Sequence, residues 1–69
     1  MERDLVSSSN IVSAGYDAAS ETLEIEFKDG AVYQYYNVGE HLYQQFVAAP
    51  SKGQFFNVYI KNVVPFSRV

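Results

Sequence analysis

Polar and apolar residues alternate over residues 22–36 in two runs that meet at Lys28-Asp29-Gly30, the pattern of a β-hairpin. On the first arm Leu23, Ile25 and Phe27 share one face, and Glu24 and Glu26 take the other. The turn has to choose between two registers. A two-residue Asp-Gly turn sets Phe27 opposite Val32 and Ile25 opposite Gln34, which buries an amide. A three-residue loop with Gly30 in the left-handed region sets Phe27 opposite Ala31, Ile25 opposite Tyr33 and Leu23 opposite Tyr35. A one-residue slip exchanges the two faces, so the three-residue loop is expected because it keeps the core face apolar.

Residues 11–16 read as a preceding strand, weakened by Ser13 and Gly15. A glycine inside a strand marks a bulge or a close approach by another backbone or ring. Residues 17–21 form a turn, so the strands on either side pair antiparallel and the hairpin completes a meander. Glu24 and Glu26 mark one face as wet, and the opposite face needs a cover. Residues 40–49 supply it, because Leu42 and Phe46, like Tyr43 and Val47, are spaced i, i+4. Glu40 suits the positive end of that helix, and Pro50 ends it at Ala49.

Residues 51–64 admit two readings. Gln54, Phe56, Val58 and Ile60 alternate as a strand would. Ser51 with Gln54 three residues later is a capping box, and Phe56, Ile60 and Val63/Val64 recur at helical spacing. A helix over about 51–62 is the expectation, and residues 63–66 are too apolar to stay off the core. Residues 1–10 read as a partly ordered lead-in and residues 11–69 as one domain. The expected fold is α+β: a three-stranded antiparallel meander with one face covered by one or two short helices. Its core gathers Leu23, Ile25, Phe27, Tyr33, Tyr35, Leu42, Phe46 and Phe56. Residues 11–16 and the third strand are then open edges that invite weak edge-strand dimerisation, the alternative being a monomer.

Sixty-nine residues hold one small domain, and six Tyr with five Phe suit the thin core that such a length allows. The absence of cysteine removes disulfides and thiolate metal sites, and it favours a cytoplasmic setting. Residues 1–4 carry mixed charge with no apolar stretch behind them, so no signal peptide is read, and no run is long enough for a membrane span. Net charge is −3, the wrong sign for a generic nucleic-acid binder. Its distribution is uneven. Residues 1–50 hold two cations against eight acids, a balance of −6, while Lys52, Lys61 and Arg68 give residues 51–69 +3 with no acid.

Catalytic groups that converge are not evident. His41 is the lone histidine and falls in the first turn of the predicted helix, where a solvent-facing imidazole is the ordinary outcome. Glu24 and Glu26 share a face but read as solubilising acids, and no cofactor or metal set is expected. Ser51-Lys52-Gly53 opens a helix and suits an anion, although it serves equally as a plain helix start. Tyr33 and Tyr35 are expected as core rings. Tyr36, on the other face with Gln34, and Tyr59 are free to stack a base or anchor a partner.

Taken together, the residues resemble the KTSC domain, a short module found alone in bacterial and phage proteins and at the C-terminus of some lysyl-tRNA synthetases. The resemblance spans residues 8–69. It rests on Ser8-Ser9-Asn10-Ile11, Gly15-Tyr16-Asp17, Leu23-x-Ile25-x-Phe27 and Gly30-x-Val32-Tyr33-x-Tyr35. Val38 follows, and then Ala49-Pro50-Ser51-Lys52-Gly53-x-x-Phe56-Asn57-x-x-Ile60-Lys61. By this resemblance Phe27, Gly30, Tyr33, Tyr35, Ser51, Gly53, Phe56 and Ile60 are structural motif positions. The sequence departs from the family pattern at Gly39, where proline is usual, at Phe55 for tyrosine, and at Lys61 for arginine. Val64 and Phe66 replace aromatics that often carry hydroxyls. The resemblance implies no catalytic activity. The expected function is a small non-catalytic interaction or accessory module, with an unknown protein or RNA as partner. The alternative is a weak accessory RNA (tRNA)-binding domain using Lys52, Asn57, Lys61 and Arg68 on phosphates with Tyr36 or Tyr59 on a base.

Overall fold

The computed structural model describes residues 1–69 as one antiparallel sheet of five strands with two helices against one face. The strands are β1 (Asp4–Leu5), β2 (Ile11–Asp17), β3 (Thr22–Phe27), β4 (Val32–Tyr35) and β5 (Phe66–Arg68), in spatial order β1-β2-β3-β4-β5. Helices α1 (Glu40–Ala48) and α2 (Lys52–Tyr59) lie between β4 and β5 in the chain. The α+β class is as expected, but the sheet has five strands where three were read. The stretch 1–10 supplies β1, and the chain after α2 returns as β5. Residues 11–17 and 32–35 therefore carry neighbours on both sides and are not the open edges proposed for dimerisation.

The hairpin takes the three-residue loop. Leu23 pairs with Tyr35 and Ile25 with Tyr33, while the Phe27 N–H donates to Ala31 O at 2.9 Å. Gly30 has φ 91°, which an L side chain rarely adopts, and Asp29 Oδ1 accepts from the Ala31 N–H at 2.9 Å to close the loop. The β2–β3 ladder slips between Ile11 and Ser13, so the bulge is at Val12 rather than Gly15. Gly15 instead admits a neighbouring backbone: a Cβ there would lie 2.3 Å from Glu2 O.

Helix α1 stops where Ala49 turns extended (φ −65°, ψ 137°) ahead of Pro50. Ser51 caps α2 by accepting from the Gln54 N–H at 3.3 Å, so the helical reading of this stretch holds, with α2 ending at Tyr59 rather than residue 62. Asn62, at φ 66°, reverses the chain toward β5. Ile11, Leu23, Ile25, Val38, Phe46, Phe56 and Ile60 are fully enclosed between sheet and helices. Tyr35 is also buried, while Phe27, Tyr33 and Leu42, expected as core, are only partly so. Val64 packs on the core, whereas Val63 and Phe66 remain largely exposed.

The opposite face is not simply wet. Glu24 is buried at 7% exposure, bonded by Arg3 Nη1 at 2.6 Å and Gln34 Nε2 at 3.0 Å. The Ser13 hydroxyl donates to Glu26 Oε1, and Tyr36 Oη links Gln34 to Ser67. The two acids read as solubilising thus anchor a polar network that runs from the β1 side of the sheet to β5.

Candidate functional site

A cleft of about 390 Å³ opens at the end of the sheet where the β3–β4 loop, the exit from α2 and β5 converge. Its volume falls within the range of about 300–1,000 Å³ common to small-molecule sites. Four rings form the apolar wall: Phe27, Tyr33, Tyr35 and Phe66. They are placed by strand alternation, since Phe66 pairs with Tyr35 and directly opposed residues share a face. The Phe66 ring centroid is 6.0 Å from that of Tyr33 and 5.8 Å from that of Tyr35, and Phe27 meets Tyr33 edge-on at 5.8 Å. Burial, then the neighbouring Tyr33, pushes the Tyr35 phenol up to about 12.

The polar wall is made by Asn10, Lys28, Asp29, Lys61 and Asn62. Lys28 is tied in through its backbone, its N–H donating to Asn10 O at 3.0 Å. Lys28 and Lys61 have no carboxylate within ion-pairing distance; both ion pairs of the protein belong to Arg3. Arg68 pairs with Tyr33 in register and so stands on the cleft side of β5. The site thus offers rings to a flat apolar ligand and uncommitted cations to an anion.

A profile of the KTSC domain matches residues 7–63. The chain belongs to the KTSC domain family. It superposes on the crystal structure of a KTSC domain protein from Yersinia pestis with a TM-score of 0.95 at 43% identity, covering 99% of this chain and 96% of that one. It is 43% identical over 56 residues to a protein of Tsukamurella paurometabola, spanning 81% of this chain and 84% of the relative. A lysine–tRNA ligase of Nostoc punctiforme is 41% identical over 54 residues, 78% of this chain. The match spans only 10% of that ligase's length.

Within this KTSC domain the sequence-predicted residues divide. Lys61 lines the cleft and Arg68 stands beside it, together with the motif residues Phe27, Tyr33 and Tyr35. Lys52 does not join them. Its Nζ reaches toward Ala49 O at 3.5 Å beside the start of α2, and it lines neither cleft of the protein. Asn57 is solvent-exposed on α2. Tyr59 meets Phe55 at a tilt, ring centroids 4.7 Å apart, in a separate apolar groove with Pro50 and Val58. Tyr36 lies on the opposite sheet face, its hydroxyl 2.6 Å from Ser67 Oγ. The Ser51-Lys52-Gly53 stretch is occupied structurally, because Ser51 caps α2 and a Cβ on Gly53 would meet Ser8 Oγ at 2.9 Å. Gly30, Phe56 and Ile60 are structural, in the loop and the core.

Sequence reasoning took Lys28 and Asp29 as turn residues only, and it did not name Asn10, Asn62 or Phe66 as site residues. Pro65 ahead of an alternating Phe-Ser-Arg was an available signal for an edge strand that would carry Phe66 to the rings. No sequence spacing places Lys28 beside Lys61. His41 is exposed and lines neither cleft, so no histidine–carboxylate pocket forms around it. No helix is long and apolar enough to cross a membrane.

Proposed function

We propose that this KTSC domain is a non-catalytic interaction module whose ligand is an unpaired segment of RNA, held in the Phe27–Tyr33–Phe66 cleft. The observation that carries the reading is the pairing of an aromatic wall with Lys28 and Lys61, two cations with no carboxylate within ion-pairing distance. An unpaired base stacked on such rings contributes about 1–3 kcal/mol, and lysines on the rim contact the phosphates that flank it. Arg68, opposite Tyr33, extends the cationic side along β5. The net charge of −3 opposes approach elsewhere, which confines binding to this end. Relatives named lysine–tRNA ligase favour the same ligand class, since a segment like this one there accompanies an enzyme whose name includes tRNA. Few cations and one cationic cleft make the domain a weak accessory binder, effective when a neighbouring domain already holds the RNA.

An NMR titration with single-stranded RNA at low salt tests this. Shifts are expected at Lys28, Tyr33, Lys61, Asn62 and Phe66, and their loss in the Lys28→Glu/Lys61→Glu variant. Lys52→Glu serves as the folded control and retains binding. A spectrum unmoved at millimolar RNA, or shifts confined to the Tyr59 groove, would overturn the reading.

A further inference from the structure

The cleft proposed to hold a base and its phosphates also carries a carboxylate, and a site for phosphate alone has no use for one. Asp29 lines the cleft beside Lys28 without an ion-pair partner. Its Oδ1 accepts the Ala31 N–H at 2.9 Å, which fixes the side chain against the hairpin loop, and the residue is exposed, which leaves Oδ2 open to a ligand. An acceptor-only group held beside an aromatic wall reads hydrogen-bond donors on whatever stacks there. We infer that the cleft selects guanine among unpaired bases, with Asp29 accepting from the base's Watson–Crick edge.

The chemistry of the four bases separates them. Guanine presents two adjacent donors, N1–H and N2–H₂, which match the two oxygens of a carboxylate, Oδ1 keeping a second lone pair beside its bond to Ala31. Adenine and cytosine each place one amino group next to a ring nitrogen that is an acceptor and faces the carboxylate unfavourably. Uracil has a single N3–H between two carbonyls, both repelled by the acid. Lys28 and Lys61 then hold the phosphates on either side, and Asp29 discriminates without adding to general affinity. This inference rests on the RNA reading of the cleft and adds the base it takes.

Short uridine-rich RNAs that differ in one central base, titrated against the intact protein, test it. The guanine version is expected to bind about tenfold tighter than the other three, the order of discrimination that one bidentate base contact supplies. Asp29→Asn can keep the loop bond to Ala31 through its own carbonyl oxygen while presenting an amide, and it is expected to level the four affinities. Lys28→Glu/Lys61→Glu is expected to weaken all four together. Equal binding of the four RNAs to the parent protein, with shifts at the cleft, overturns the guanine inference and leaves the RNA reading standing. A guanine preference that survives Asp29→Asn also overturns it. No binding of any RNA removes both.

Discussion

The Arg3 guanidinium donates to the Glu24 carboxylate at 2.6 Å from two strands away, crossing β2 where Gly15 has no side chain. The crossing explains why a two-residue strand at the N-terminus stays on the sheet. With Leu5 87% exposed, β1 has little apolar anchorage of its own. Arg3 holds a charge that would otherwise be buried without a cation. Replacing it with Ala is expected to cost about 1–2 kcal/mol, the loss of one charge-assisted bond softened by water reaching Glu24. Urea unfolding of Arg3→Ala measures this directly, and an unchanged midpoint would show β1 to be energetically idle.

Glu24 also sets the acid limb of stability. The Gln34 amide bond first, and Arg3 second, hold its carboxyl below the ordinary value of 4.5 against an opposing push from burial. Because the folded pKa is depressed, the unfolded chain binds more protons in this window and stability falls as pH drops. The contribution is whole above the unfolded value near 4.5 and is lost as pH descends through the folded one. Glu24→Gln should therefore flatten the stability profile below about pH 4.5. An acid limb as steep as the parent's would assign it to other carboxylates.

Gly15 is the other half of the crossing. A Cβ there would meet Glu2 O at 2.3 Å and Arg3 Cγ at 2.9 Å, and the first of these is backbone. Gly15→Ala is expected to push β1 off the sheet at a cost of about 1–3 kcal/mol, the usual range for overpacking. Hydrogen exchange locates the damage: the Val6 amide, which donates to Val12 O at 2.9 Å, should lose protection while β3 and β4 amides keep theirs.

How far the sequence carried the fold follows from element length. The β3–β4 register was legible because only the three-residue loop opposes Leu23 and Ile25 with tyrosines, and Gly30 supplies the positive φ it needs. Helix α2 was legible from its cap, since Ser51 does accept from Gln54. Strands β1 and β5 were not, because two and three residues are too short to display a period. Their pairing depends on partners distant in sequence, Arg3 with Glu24 and Tyr36 with Ser67. The cleft was half legible. Phe27, Tyr33 and Tyr35 were placed on the correct face, but Lys28 and Lys61 share the cleft only because the chain reverses at Asn62.

Core substitutions should rank by burial rather than ring size. Phe56, 2% exposed and in edge-on contact with Tyr35 at 5.0 Å, is expected to cost about 3–5 kcal/mol on truncation to Ala. That is comparable with the whole stability of so small a domain. Phe27 is only partly buried and should cost less, about 2 kcal/mol, by leaving part of its contact area to solvent already. Thermal unfolding of the two variants separates them. A Phe27→Ala variant less stable than Phe56→Ala would place the centre of the core at the cleft instead of beneath α2.

Salt dependence discriminates among the cations. If Lys28, Lys61 and Arg68 each neutralise one phosphate, log affinity for single-stranded RNA should fall with log salt at a slope of about −2. Each alanine substitution among these three is then expected to reduce the slope by about 0.7. Lys52→Ala should leave it unchanged, because that side chain lies beside Ala49 O and outside the cleft. Stacking on Tyr33 and Phe66 carries no counterion term, so Phe66→Ala should weaken binding uniformly at every salt concentration. Phe66 is half-exposed, which keeps this variant folded and the comparison clean. Affinities measured by fluorescence anisotropy over a series of salt concentrations separate the two contributions. A slope that responds to Lys52 and ignores Lys28 would move the binding face to the start of α2.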